Sequence, residues 1–593
     1  MYSAGALAAT AALAGGIAEL GRRLGGESLA ARWVRGWTAL WWLVAVTAQL
    51  VGPAVAAVVG SLVVLAAFAA WGYRERHAAR PWLLGGAAVL AGAPLYLCPP
   101  VFYDALVYHL GLPWSWLINA SFDPIEHHVF SHFPIAGQAV FLIPVGWGLP
   151  EAAAGLHWIC LAVTVAVCVH LARRLGAGGW SVLAPLLLAG CWHLLWIAGQ
   201  PAVDLLVTLA VLAAVEALNA EPEPRWLDVG LACGLAAATK YPAAVPVAAV
   251  MLAALLFFPG RWRRLGVTVA ITGAAASFAP VRNLITTGNP VYPLLWPLFG
   301  GSGWSARDDA RWASLVHEGV GGLASLPSGL LRLVRPPDGL GWWAVAAAVL
   351  AIAAVLPAGE AARSRRLVAA TAALGLGGWL VSSQTTRYAF PMAALIAVLA
   401  AVGASRVNRR AGFAIAVVVA ATVALGLADL GRFTLGRLQI QRIWTGQSTP
   451  AEWRHQVTVN DPLPAYRAAE AGLHGSARLV VVGDGRSWGC RVPHHVSSSY
   501  DLQLVQAWVE AAATADEVAR AAAAEGFSHL LINWGELERL GGRDFQVLRW
   551  RSAADEQRWE VFLRQWTVPL ASVPPCELRA IRAPSTGTNS HPR

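Results

Sequence analysis

The chain is short of charge and almost devoid of lysine. Only 13% of its 593 residues are charged, against about 25% in an ordinary soluble domain. With 57% hydrophobic residues and a mean hydropathy of +0.53, a soluble globular enzyme and a disordered chain are both excluded. Of the 44 basic residues, Lys240 is the only lysine. The seven cysteines include no CxxC or zinc-type spacing, and most lie in apolar runs, where they behave as small hydrophobes. Cys490 and Cys576 share a polar C-terminal segment, and a disulfide between them requires that segment to be extracytoplasmic. The net charge of +10 is not a nucleic-acid footprint, because its arginines fall in short clusters between apolar runs.

What is present in quantity is apolar sequence. Runs bounded by charge predict membrane spans near 37–52, 53–72, 81–97, 151–171, 180–198, 201–219, 228–240, 242–258, 265–282, 340–357, 367–382, 388–404 and 411–429. The segment Ala4 to Leu20, followed by Arg22 and Arg23, has its charges on the wrong side for a signal peptide and reads as an uncleaved or membrane-surface helix. Arginine clusters mark one face: Arg22, Arg23, Arg32 and Arg35; Arg74, Arg76 and Arg80; Arg173 and Arg174; Arg225; Arg261, Arg263 and Arg264; Arg363, Arg365 and Arg366; Arg406, Arg409 and Arg410. The loop Cys98 to Pro150 contains no Lys or Arg, which places it on the opposite, outer side. The same alternation puts the 283–338 loop, the 383–387 turn and everything after about 430 outside.

From about Arg432 onward the sequence turns polar, with no run long enough to span. Arg478–Val482 and Ser528–Asn533 read as buried strands, and Thr514–Glu525 as a helix between them, the order of a parallel βαβ unit. Gly483, Gly485 and Gly489 make GxGxxxG, whose spacing is wrong for a dinucleotide fingerprint and reads as a turn.

The side chains able to carry chemistry gather in the outer loops. Asp104 follows a span closely. A carboxylate held among aromatics at a membrane surface is desolvated enough to take a proton. If 104–117 is a surface helix, Tyr108 and, less well, His109 share its face. The other reading of Asp104 is a helix cap. Asp123, Glu126, His127, His128 and His132 form a second cluster, and the spacing of His128 and His132 suits metal ligation on a helix, although loop histidines are often simply solvated. Lys240, between Thr239 and Tyr241-Pro242, offers a compact charge for a phosphate; the competing reading is a snorkelling anchor. Arg282 and Arg387-Tyr388 lie on the same side, as interfacial anchors or as further phosphate ligands, whose contacts strengthen where water is scarce. Trp304 and Trp312, with Arg307, Asp308, Asp309 and Arg311, present aromatic faces suited to sugars or to interfacial anchoring.

Asp104-Ala-Leu-Val-Tyr-His-Leu-Gly-Leu-Pro, Ala238-Thr-Lys-Tyr-Pro242, Arg282-Asn-Leu-Ile-Thr-Thr-Gly-Asn-Pro-Val-Tyr-Pro293 and Thr386-Arg-Tyr-Ala-Phe-Pro391 together resemble the GT-C superfamily of polytopic glycosyltransferases. The similar branch holds protein mannosyltransferases, aminoarabinose transferases and lipopolysaccharide-core transferases. The resemblance covers about 80–430, and Gly526 to Arg539 resembles the outer domain of many bacterial members. It implies a mainly α fold, a polytopic bundle of about 12–14 spans with a C-terminal extracytoplasmic α/β domain. The domains expected are 1–80 (N-terminal helices), 81–430 (catalytic core with outer loops 98–150 and 283–338) and 431–593.

The function it implies is inverting transfer of a sugar from a polyprenyl-phosphate-linked donor to a hydroxyl of a cell-envelope glycan, lipid or protein, at the outer face of the inner (plasma) membrane. Asp104 would be the general base, Lys240, Arg282 and Arg387 the donor-phosphate ligands, and Tyr108, His109, Asp123, Glu126, Tyr292 and Tyr388 substrate contacts. Glu126, His128 and His132 would hold a divalent metal, if one is used. Ala105 follows Asp104 where the mannosyltransferases carry an Asp-Glu pair, which weakens protein mannosylation as the activity. A transporter or lipid flippase is the alternative; it would need acids near mid-membrane, of which Asp204 and Glu216 are the clearest.

Overall fold

The computed structural model describes residues 2–75, 79–316, 325–335, 339–341, 343–356, 361–541 and 546–582. Arg76 and the end of the 431–593 segment lie outside the described residues. The chain forms two compact units. The first comprises Met1–Ala105, Phe133–Arg282 and Val316–Trp453, and the second Leu106–His132, Asn283–Leu315 and Arg454–Arg593.

Among the described residues, five helices are long and apolar enough to cross a membrane: Ala4–Arg23, Pro53–Arg74, Glu151–Arg174, Thr386–Ala404 and Arg409–Arg437. Two further pairs qualify together but are sharply bent, Gly178–Ala189 with Trp192–Ala198 by 80° and Trp262–Ala276 with Phe278–Thr287 by 59°. Several of the shorter predicted runs are shorter apolar helices, among them Trp226–Thr239, Tyr241–Phe257 and Trp343–Val355. The chain is an integral membrane protein.

In the first unit, small residues set the closest helix approaches, as expected where lipid supplies no hydrophobic drive. A Cβ on Gly36 would sit 1.9 Å from the Ile17 carbonyl oxygen, and one on Gly21 would sit 1.6 Å from that of Arg32, so the helices Tyr2–Arg23 and Leu29–Val51 pack backbone to backbone. Helix Asp204–Leu218 is buried along its whole length, consistent with a sequence apolar all round between its terminal acids. Its acids occupy its ends: Asp204 begins it and Glu216 lies in its last turn, hydrogen-bonded to Ser28.

The second unit is built on a five-stranded sheet: β1 (Leu479–Val482), β2 (His494–Val496), β3 (His529–Asn533), β4 (Thr567–Val573) and β5 (Cys576–Ile581), in the order β2-β1-β3-β5-β4. β1 runs parallel to β2 and β3, and β5 antiparallel to β3 and β4. The predicted βαβ unit is present, with helix Ala515–Ala524 between β1 and β3. Alternate residues of β1 and β3 feed two cores. Val480, Val482, Leu530 and Ile532 pack with Val505, Val518 and Phe562, while Leu479, Val481 and Leu531 pack with Tyr466 and Leu578. Cys490 and Cys576 are buried in the second core as free thiols. Gly483, at φ +84°, makes the turn after β1, and Arg486, three residues on, is buried and donates to the Asp484 carboxylate and to the Val459 and Asn460 carbonyls.

The stretches 106–132 and 283–315 belong to this unit. Trp114 donates to the Cys490 carbonyl at 2.6 Å, and Asn119 exchanges two hydrogen bonds with the backbone of His494 at 2.9 and 3.0 Å.

Candidate active site

Three helix breaks of the first unit deliver charge to one place. Helix Trp226–Thr239 stops at Lys240, whose backbone is extended because Pro242 begins a new turn and cannot continue the hydrogen-bond ladder. Arg387 lies in the short turn Thr386–Ala389, ahead of the proline-led helix Phe390–Ala404. Asp204 opens its helix at a point fixed by His157. Nε2 of that imidazole accepts from the Leu205 amide at 2.9 Å, while Nδ1 faces the Ile197 and Gln200 carbonyls at 3.0 Å. An Nδ1–H donor with an Nε2 acceptor is the neutral tautomer, and it satisfies a helix-start amide that Asp204 would otherwise have to cap.

The Asp204 carboxylate is thereby left to the cations. Lys240 Nζ donates to its Oδ1 at 3.0 Å and lies 4.4 Å from the centre of the Tyr388 ring. Arg387 bridges two carboxylates: Nη2 donates to Asp104 Oδ2 at 2.5 Å and Nη1 lies 3.9 Å from Asp204 Oδ2. Its guanidinium also faces Phe102, 5.3 Å from the ring centre. The Asp204 side chain is 2% exposed and that of Asp104 20% exposed, so Asp204 forms the floor of the cluster and Asp104 its accessible edge. A small cleft opens on Asp204, Lys240, Arg387 and Tyr388, and its remaining walls are apolar: Val207, Pro242, Ala243, Pro246 and Pro391. Arg282 belongs to the same unit and is buried, 5.9 Å from the Phe278 ring, but does not line that cleft.

Of the residues singled out in the sequence, the structure thus brings Asp104, Lys240, Arg387 and Tyr388 together. Phe102 and His157 are additions, and Asp204, singled out in the sequence only as an acid within a span, joins them. The one available signal for Asp204 was an acid at the head of an apolar run.

The remaining candidates lie in the second unit. Instead of one helix over 104–117, a wider π-turn, Ala105–His109, precedes helix Gly111–Asn119, and this alters the side-chain spacing expected after Asp104. Tyr108 stacks on Phe130 at 4.5 Å and lies against His109. Asp123 is exposed and accepts from Ser121 at 3.0 Å, and Glu126 is exposed beside His127. His132 packs on Tyr292 at 4.5 Å. His128 is buried, and burial holds its pKa down at about 4. The segment Val129–His132 is a 3₁₀ turn, in which side chains three apart eclipse, so the four-residue spacing does not set His128 and His132 on one face. Among the described residues no group of three or more His, Cys, Asp or Glu side chains converges as a metal site, and Glu126, His128 and His132 do not fit one.

No protein-family model and no curated protein matches the chain. Solved structures do. ArnT from Cupriavidus metallidurans bound to undecaprenyl phosphate aligns with a TM-score of 0.52 at 14% identity, over 85% of this chain and 98% of that one. The apo state of the same protein aligns with a TM-score of 0.48 over the same shares. The Archaeoglobus fulgidus oligosaccharyltransferase tethered to an acceptor peptide aligns with a TM-score of 0.43 at 13% identity, over 78% of this chain and 69% of that one. The expected architecture, mainly α with a C-terminal α/β unit, is therefore borne out, and the chain shares the overall fold of the ArnT structure bound to undecaprenyl phosphate.

Proposed function

We propose that the protein is an integral membrane glycosyltransferase that moves a sugar from a polyprenyl-phosphate donor to a hydroxyl of a cell-envelope acceptor at the outer face of the inner membrane. The observation that carries this reading is the cleft in which Lys240 and Arg387 face a trough of valine, alanine and prolines. Two cations beside apolar walls suit a phosphate with a hydrocarbon tail. The fold shared with ArnT bound to undecaprenyl phosphate supports it.

In this reading Asp104, the accessible carboxylate, takes the proton of the acceptor hydroxyl. The acceptor oxygen forms its bond to the anomeric carbon from the side opposite the phosphate, which inverts that centre. The carbon–oxygen bond to the phosphate breaks, and its electron pair leaves with the lipid phosphate. The leaving phosphate gains one negative charge as Asp104 loses one. Arg387, released from its pairing with Asp104, and Lys240, held by Asp204, are placed to meet the new charge, the kind of stabilisation that acts most strongly in a water-poor site. Arg282, outside the cleft lining, is assigned to the approach of the phosphate. Tyr388 packs beneath Lys240, and Tyr108, His109, Asp123, Glu126 and Tyr292 stay assigned to the acceptor side. Lipid transport without chemistry draws no support from Asp204 and Glu216, which sit at opposite ends of their helix, each with a polar partner.

The test is Asp104→Asn and Lys240→Ala in membranes supplied with polyprenyl-phosphate sugars. Transfer should fall at least 100-fold in Asp104→Asn, a size typical of general-base loss, and transfer at the wild-type rate would sink the base assignment. Donor-lipid flux persisting in both variants without transfer would favour movement over chemistry.

A further inference from the structure

Residues 283–299 of the second unit carry their polarity inside out. On helix Phe278–Thr287, Asn283 is fully buried and donates to the His132 carbonyl at 2.7 Å, and Thr287 is buried with its hydroxyl on the Asn283 carbonyl at 2.8 Å. Between them, Leu284 is 55% and Ile285 78% exposed. A helix on a water-facing surface shows the reverse pattern, apolar toward the core and polar outward. The loop that follows repeats the inversion, with Asn289 fully buried and Leu295, Leu298 and Phe299 exposed. From Asn283 to Ala306 the chain carries no charged residue.

The backbone beneath these side chains is largely closed on itself. Pro290, Pro293 and Pro297 have no N–H to satisfy. The amides of Gly288, Leu294, Leu298, Phe299 and Gly300 donate to carbonyls of residues 284–296. The Asn289 side chain accepts from the Val291 amide and donates to the Leu294 and Gly300 carbonyls. Water would pair such groups in an aqueous loop, whereas next to hydrocarbon the chain itself has to pair them.

We infer that residues 284–299 form a lipid-contacting pad that sits at the headgroup–acyl boundary of the bilayer and ties the second unit to the membrane surface. Elements of this kind lie in the plane of the interface, with their apolar face about 5–10 Å deep. Helix Phe278–Thr287 is the second half of a bent pair that together is long and apolar enough to span, so the chain reaches the pad from within the bilayer. A protein partner would cover the same leucines, but protein interfaces are ringed by polar and charged side chains, and residues 283–306 offer no charge for such a rim. The first part of the 283–338 loop thus belongs to the membrane interface and not to water. This pad is independent of the proposed glycosyl transfer.

The seven cysteines are buried free thiols, so Ile285→Cys and Leu298→Cys, with the exposed Ser476→Cys as the aqueous control, can each be labelled in detergent with an NBD fluorophore. After reconstitution of the full chain into phosphatidylcholine–phosphatidylglycerol nanodiscs, the Ile285→Cys and Leu298→Cys probes should emit to the blue of the Ser476→Cys probe by about 10 nm or more, as for a group that leaves water for the headgroup–acyl boundary. Doxyl groups near the headgroup end of the acyl chains should quench both at least about twofold more than doxyl groups at the chain ends. Aqueous iodide should quench only the Ser476→Cys probe. Emission and iodide quenching at Ile285→Cys and Leu298→Cys equal to those at Ser476→Cys would overturn the inference. So would a blue-shifted probe that neither iodide nor the lipid doxyl groups reach, which is the signature of a covering protein or a second copy of the chain. Stronger quenching from the chain ends than from the headgroup end would overturn the interfacial placement.

Discussion

Lys240 and Asp204 are 36 residues apart in sequence and 3.0 Å apart in space, both nearly sealed from solvent. Removing one partner of such a pair strands a buried charge, at a cost of about 3–5 kcal/mol, whereas removing both strands none. Lys240→Ala and Asp204→Asn should therefore each lower thermal stability of the detergent-solubilised chain markedly, and the double variant should lose less than their sum. Additive losses would show that the pair is not coupled. Lys240 was legible in the sequence because a lone lysine among arginines is conspicuous. Asp204 was not, since an acid in an apolar run looks the same whether its partner is water, a lipid headgroup or a distant lysine. Asp501 makes a second case. Burial pushes its carboxyl up to about 7, although Ser498 and the Val129 amide both donate to it. The folded chain holds a proton there that the unfolded chain releases near its ordinary value of 3.8, so its contribution to stability is full in acid and is lost as pH rises through about 7. His128 and His494 have the opposite sign: burial holds both at about 4, and their contribution, present above 6.5, is lost as pH falls. With the Asp501 carboxyl at about 7, Asp501→Asn should abolish a fall in melting temperature between about pH 6 and 8 while leaving the acid limb in place. A wild-type alkaline limb in the variant would remove Asp501 as its source.

At the scale of elements, periodicity and turn chemistry carried most of what was legible. The apolar runs and the parallel βαβ unit follow directly from hydrophobic patterning and from strands flanked by turn residues. The three-residue β2 and the β4–β5 hairpin carry no comparable signal, because their pairing is decided by distant partners. The histidine cluster misled for a local reason: its spacing was referred to an α-helix, and the chain there is a 3₁₀ turn. The loop after Arg282 has a determinant of its own. Asn289, fully buried, donates to the Leu294 and Gly300 carbonyls at 3.0 Å each and accepts from the Val291 amide at 2.9 Å. This one side chain ties down a loop that exposes Leu295, Leu298 and Phe299. Asn289→Ala leaves two carbonyls and an amide without their partner, at about 1–3 kcal/mol for each group that stays buried. Limited proteolysis should then cut within 290–300 at least tenfold faster, and an unchanged rate would mean that the loop is held by other contacts.

At the scale of the molecule, the sequence pattern marks one boundary near 430, where apolar runs cease, but the second compact unit also takes in 106–132 and 283–315. Nothing in those loops read alone points to the C-terminal sheet, because the bonds that join them, such as Trp114 to Cys490 and Asn119 to His494, link residues more than 370 positions apart. The side on which this unit lies rests on the arginine asymmetry, which topology labelling can check directly. All seven cysteines are buried free thiols, so a membrane-impermeant maleimide should find little background in the native chain. Ser476 and Ser302, exposed in the second unit, and Arg263, exposed at the start of helix Trp262–Ala276, supply one probe position for each face. In intact spheroplasts, Ser476→Cys and Ser302→Cys should label at once, and Arg263→Cys only after permeabilisation. The reverse pattern would place the sheet domain in the cytoplasm and move the proposed chemistry to the other side of the membrane. Labelling of all three before permeabilisation would break the arginine rule for this chain. Because Ser302 and Ser476 come from different stretches of one compact unit, they should in any case report the same side.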